Sequence, residues 1–157
     1  MNKKQPEIND RKKLAGAIIK VLQKKYPAPE CALKHENPWQ LLVATILSAQ
    51  CTDKRVNMVT PDLFKRFATI EDFAEASQEE LEELIRSTGF FRNKAKNIIA
   101  CAQALLDSFG GKIPQTLAEL TKLPGVGRKT GSVLLGTAFG KAEGIVVDTH
   151  VTRLSQR

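Results

Sequence analysis

The chain has 157 residues, 42% hydrophobic and 26% charged, which suits one globular domain, or one and part of another, and argues against general disorder. No apolar run reaches membrane length, and the opening MNKKQPEINDRKK lacks the hydrophobic segment of a signal peptide, so a cytoplasmic or nucleoid setting without a membrane partner is expected. The net charge is +7, yet residues 67–85 hold seven acids, from Glu71 to Glu83, and no base, leaving 24 bases against 10 acids elsewhere. Such an excess either solubilises the chain or forms a basic surface for a polyanion, of which nucleic acid is the commonest.

In chain order the pattern is helical. Leu14, Ile18, Val21 and Leu22 recur at helical spacing behind Asn9 or Asp10 as N-cap. A loop from Tyr26 to Asn37 precedes Pro38, which suits a first helical position. The run Trp39 to Gln50 is apolar nearly all round and is expected to be the central, buried helix. Asp53 offers a cap for the next helix, which Thr60-Pro61 restarts or kinks. Thr69-x-x-Asp72 and Thr116-x-x-Glu119 resemble capping boxes, and Ser77-x-x-Glu80 is the clearest, its helix ending at Gly89.

From Phe91 to Phe109, residues including Ala95, Ile98, Ala102 and Leu105 share one face, and Gly110-Gly111 closes that helix. A short helix leads into Leu123, and another runs from about Gly127 to Phe139. Gly131 and Gly136 should each weaken the latter by about 1 kcal/mol relative to alanine, with close packing as the expected compensation. Ile145-Val146-Val147 is the single strand-like run and too short to imply a sheet. The fold expected is all-α.

The chemistry is concentrated in Leu123-Pro124-Gly125-Val126-Gly127-Arg128-Lys129-Thr130 and in Val147-Asp148-Thr149-His150. Gly125 and Gly127 can take backbone angles that a Cβ resists, and they let the main chain approach a ligand. Their amides, with the helix start behind them, suit a phosphate. A tight helix–helix turn with no ligand has the same outline. Lys129 reads either as a solvated phosphate contact or as a nucleophile, whose ammonium Arg128, the helix dipole and partial burial would disfavour. Asp148 reads as a helix N-cap or as a carboxylate facing a cleft; one oxygen can serve each role. Cys31, Cys51 and Cys101 lack metal-ligand spacing and read as buried free thiols; His35 and His150 read as surface or capping residues.

With these strings, Leu47-Ser48-Ala49-Gln50-Cys51-Thr52-Asp53, Gly89-Phe90-Phe91-Arg92-Asn93-Lys94-Ala95 and Thr137-Ala138-Phe139-Gly140, the chain resembles the helix-hairpin-helix, Gly/Pro…Asp (HhH-GPD) superfamily of DNA glycosylases, and within it the endonuclease III family. The resemblance spans roughly residues 14–157. It implies a six-helix barrel over about residues 31–142, with the helix-hairpin-helix at about 116–140. A second lobe would join residues 1–30 to those from 143 onward.

It also implies a bifunctional DNA glycosylase and abasic-site lyase of base excision repair. Lys129 attacks the sugar and Asp148 assists. Gly125, Val126, Gly127, Arg128, Thr130 and Lys94 contact DNA, Gln50 fills the gap left by a flipped base, and Phe90 acts as a wedge. The partner is double-stranded DNA with damaged pyrimidines or abasic sites. A non-catalytic helix-hairpin-helix DNA-binding module is the alternative.

The family usually carries a four-iron, four-sulfur cluster (4Fe-4S) on a four-cysteine loop, and this sequence has no such loop, so no cofactor is expected beyond a monovalent cation at the hairpin. The chain stops nine residues after Asp148. It is therefore expected to be the N-terminal part of such a protein, with the Leu14, Ile18, Val21 and Leu22 face uncovered.

Overall fold

The computed structural model describes residues 8–141, 146–147 and 149–156, and the chain divides into two compact units, Met1–Cys31 and Ala32–Arg157. The first carries α1, Ile8–Lys25, with Asp10 in its first turn and Lys24 and Lys25 in its last, as the helix dipole favours. Asn9 and Asp10 thus lie inside the helix and do not cap it. Leu14, Ile18, Val21 and Leu22 are exposed, Leu14 at 62%.

The second unit is built around α2, Pro38–Leu47. Asn37 Oδ1 accepts from Gln40 N at 2.9 Å, and Pro38 spends its missing N–H at a position that has no helical acceptor anyway. Leu41, Leu42, Val43, Ala44 and Leu47 are wholly buried, as an all-round apolar helix must be. Each large side chain contributes about 1.5–3 kcal/mol in burial.

α3, Asp53–Arg66, is capped by Thr52 rather than Asp53, with Thr52 Oγ1 accepting from Arg55 N at 3.3 Å. It runs on through Pro61 without restarting.

Capping boxes diverge according to tertiary surroundings. At α4, Ile70–Ala74, the box is complete. Thr69 Oγ1 accepts from Asp72 N at 3.1 Å, and Asp72 Oδ2 accepts from Thr69 N and Ala68 N, each at 2.8 Å. At α5, Gln78–Ile85, Ser77 Oγ takes Glu80 N at 3.1 Å. The Glu80 carboxylate turns instead to Arg66 Nη2 at 3.0 Å, so the sequence's clearest box is only half formed. Arg66, fourteen residues away on α3, out-competes a backbone amide because both members of the Arg66–Glu80 pair are charged.

A 3-10 turn, Arg86–Thr88, and Gly89 lead into α6, Phe91–Phe109, which closes at left-handed Gly110. Then follow α7, Leu117–Leu120, capped by Thr116, and α8, Arg128–Phe139. α9 spans Thr149–Ser155. Among the described residues there is no strand; Val146 and Val147 carry none.

α2 packs against α3, α6 and α8; α4 and α5 lie on α6, and α7 on α8. Phe73 of α4 meets Trp39 edge-on at 5.3 Å and Phe67 at 5.2 Å, which locks the start of α2. Gly131 is buried where α8 meets α7, and a Cβ there would stand 2.8 Å from Leu117 Cδ1. Close packing therefore explains Gly131, while Gly136 faces open space.

Candidate functional site

Between α7 and α8 the chain makes a hairpin closed by Leu123 N to Leu120 O and Val126 N to Leu123 O, each 3.1 Å. Leu123 and Val126 are buried and pin this turn to the core. Val126, expected among the DNA contacts, therefore has only its backbone to offer a ligand. Gly125 has φ +76°, and a Cβ on it would lie 2.9 Å from Asn97 Cβ. Glycine is required there twice over, by backbone angle and by space.

Gly127 differs from expectation. Its φ of −86° and ψ of 173° are open to any residue, and a Cβ would meet nothing within 4 Å. The fold does not need this glycine, and its lack of a side chain leaves the approach to the start of α8 open.

That helix start is chemically open. The first backbone bond into α8 runs from Gly131 N to Gly127 O at 2.9 Å, so the amides of Arg128, Lys129 and Thr130 have no intrahelical acceptor. Gly127 supplies no side-chain cap, whereas Asn37, Thr52, Thr69, Ser77 and Thr116 cap the starts of α2, α3, α4, α5 and α7. Orphan amides and the positive end of a helix dipole form an anion site. Arg128 and Lys129 are exposed beside it and Thr130 is half-buried. The partial burial expected of Lys129 is not found. Asp148 lies outside the described residues.

A second group meets this hairpin. Among the described residues, Gln50, at φ +53°, and Phe90, at φ +48°, are the non-glycine residues with positive φ. Both are exposed, Phe90 at 64%. Bulky side chains in this region are rare, and such strain gathers at functional sites. Gln50 and Phe90 line one cleft of about 250 Å³ together with Asn93, Lys94, Asn97, Gly125 and Thr130. Three separate stretches of sequence thus converge. A larger depression of about 480 Å³, lined by residues including Lys34, His35, Thr60 and Lys65, holds none of the expected site residues.

Lys94 is placed differently from the sequence expectation. It is only 5% exposed, and its Nζ donates to Leu47 O at 2.8 Å and Thr88 O at 2.9 Å. Burial pushes its ammonium below the usual lysine range, a nearby Cys51 opposing. An ammonium spent on two carbonyls is not a phosphate contact. The signal was present in the sequence: Lys94, Ile98, Cys101 and Leu105 recur at helical spacing on the buried face of α6.

Cys31 is exposed, Cys51 half-buried and Cys101 buried, so only Cys101 meets the expectation of a buried thiol. Among the described residues no three His, Cys, Asp or Glu side chains form a metal-holding group. The residues present do not fit an iron–sulfur cluster.

Residues 43–157 match the family model of HhH-GPD superfamily base excision DNA repair proteins. The chain belongs to that superfamily. It is 54% identical over 147 residues to endonuclease III of Synechocystis sp., covering 94% of this chain and 67% of that protein. A solved non-covalent endonuclease III–DNA complex superposes with a TM-score of 0.87 at 47% identity, over 93% of this chain and 68% of that one. A trapped endonuclease III–DNA covalent intermediate does so with the same TM-score at 46% identity, with the same coverage. The chain is thus an endonuclease III-type HhH-GPD protein, a class of DNA glycosylases and lyases, and spans about two thirds of the length of these relatives. The helix-hairpin-helix is α7, its turn and α8.

Proposed function

We propose that this chain acts as a bifunctional DNA glycosylase and abasic-site lyase, excising oxidised pyrimidines from double-stranded DNA in the cytoplasm or nucleoid. The observation that carries the reading is the cleft itself. It joins two exposed side chains on left-handed backbone, Gln50 and Phe90, to the hairpin residues Gly125 and Thr130. Next to it stands a helix start with free amides and an exposed lysine. That combination grips a phosphate, reaches into a duplex and offers an amine. Solved DNA complexes of the relatives support DNA as the partner.

In this reading the Gly125–Gly127 hairpin and Arg128 hold the backbone phosphate, and Gln50 and Phe90 occupy the space of an extruded nucleotide. Lys129 Nζ, its proton passed to a carboxylate, bonds to C1′ of the damaged nucleoside as the bond from C1′ to the base breaks. The base leaves with that electron pair and takes up a proton. Opening of the sugar ring gives an imine between Lys129 and C1′. Loss of a proton from C2′ then expels the 3′ phosphate, and water releases the lysine. On sequence grounds Asp148 is the carboxylate. The hairpin carbonyls could hold the monovalent cation implied by the resemblance, which would add positive charge at the phosphate.

The test is strand cleavage of a duplex containing one oxidised pyrimidine or one abasic site. Cleavage on the 3′ side by the parent chain, absent in Lys129→Ala, is the expected result. Salt-sensitive binding without cleavage by the parent would overturn the catalytic reading in favour of a non-catalytic helix-hairpin-helix module.

A further inference from the structure

We propose that Lys94 is a positioning residue that ties the Gln50 turn and the Phe90 turn into one rigid wedge. The proposal rests on the functional reading above only for what the wedge does in DNA; the tie itself stands on geometry within the chain.

Both turns follow the end of a helical segment. α2 ends at Leu47, three residues before Gln50, and the 3-10 turn ends at Thr88, two before Phe90. The amides just past α2 are committed elsewhere: Ser48 N to Ala44 O, Ala49 N to Ile46 O and Cys51 N to Ser48 O. Leu47 O receives Lys94 Nζ, 47 residues away in sequence, and the same ammonium takes Thr88 O. A cation at carbonyl ends is favoured by the helix dipole. Lys94 also grips the second turn through its backbone, with Lys94 N donating to Phe90 O at 3.1 Å. Its stem lies along the buried face of α6.

The backbone strain calls for such a device. Left-handed Gln50 and Phe90 persist only where neighbouring structure over-determines them. Ser48 Oγ donates to Thr45 O at 2.9 Å and Thr88 Oγ1 to Ile85 O at 2.8 Å, but each of these bonds stays within its own turn, and α6 begins at Phe90 with no side-chain cap. A single ammonium bonded to both turns fixes each and also their separation. With the wedge held in register, both side chains enter the duplex together. Without the tie, each turn relaxes independently and the ordering cost falls on DNA binding.

Lys94→Met keeps the stem and removes the donors. Hydrogen exchange of the free protein is the first measurement. Faster exchange of the 48–51 and 88–91 segments together, with the 128–139 segment unchanged, is expected. Unchanged exchange in both turns, or a uniform rise across the fold, would overturn the tie. If the methionine variant does not fold, Lys94→Leu, which also removes the donors and keeps an apolar stem, is read by the same criterion.

The second measurement is a double-mutant cycle on duplex binding. Lys94→Met should lower the preference for an abasic over an intact duplex roughly tenfold, as for loss of one member of a coupled network. In a Phe90→Ala background it should cost little more. Additive losses would mean that Lys94 only supports the fold, and would overturn the positioning role. A parent chain with no preference for the abasic duplex would instead sink the DNA reading, and hydrogen exchange would still decide the tie.

Discussion

Gly125 and Asn97 meet so closely that a Cβ on the glycine would stand 2.9 Å from the asparagine Cβ. The hairpin is thereby seated on α6, the helix that also carries Lys94, and its position is fixed by contact. Gly127, two residues on, has neither constraint. Only the first of the two glycines is required by the fold.

Gly125→Ala should lower stability by about 2 kcal/mol, combining the left-handed penalty with displacement of Asn97, and weaken DNA binding by moving the hairpin. Gly127→Ala should leave stability within about 0.5 kcal/mol of the parent and still weaken duplex binding, because its Cβ occupies the approach to the open amides of α8. Urea melts and duplex titrations of both variants check this. Equal stability losses in the two would contradict the assignment.

Asp72 provides a pH handle. The Thr69 amide, its hydroxyl and the Ala68 amide hold this carboxyl below the ordinary aspartate range. A lowered folded-state pKa means stability that is present above the unfolded-state value and lost as pH falls through the folded-state value. Asp72→Ala should therefore melt below the parent at neutral pH, and the gap should narrow once pH drops under the usual carboxylate range. Thermal melts across that range read the difference. A gap that is constant with pH would show that the carboxylate's charge is irrelevant to the cap.

Thiol chemistry should follow burial. Cys31 is exposed and Cys51 half-buried, whereas burial pushes the Cys101 thiol up to about 12. A thiol-specific reagent at mildly alkaline pH should modify Cys31 first and leave Cys101 untouched until the protein unfolds. Peptide mapping after labelling gives the order; early modification of Cys101 would contradict the packing of α6.

Much of the fold was legible in the sequence because its signals are local. Pro38 at a helix start, the all-apolar face pattern of α2, Thr69 with Asp72, and the closing glycines act over a few residues and appear where expected. Signals went astray where a distant partner intervened. Arg66 drew Glu80 out of its capping box. Leu47 and Thr88 drew the Lys94 ammonium inward, although a lysine in a glycosylase-like string reads first as a DNA contact.

At the site, the hairpin was visible as a string, but the different reasons for its two glycines were not, since one depends on Asn97 from another helix. Gln50 and Phe90 take left-handed backbone although neither is glycine or asparagine, so the residue type does not announce it, even with Gly89 beside Phe90. The cleft they share with Gly125 and Thr130 exists only after folding.

Attack by Lys129 on the sugar, as proposed, would join protein and DNA covalently. Borohydride reduction of the chain mixed with a duplex bearing one abasic site captures that bond as a stable amine, since an imine is reducible and a phosphate contact is not. A protein–DNA adduct is expected with the parent chain, mapped to Lys129 and absent from Lys129→Ala. An adduct of equal yield in Lys129→Ala, or none from a parent chain that binds the duplex, would contradict it.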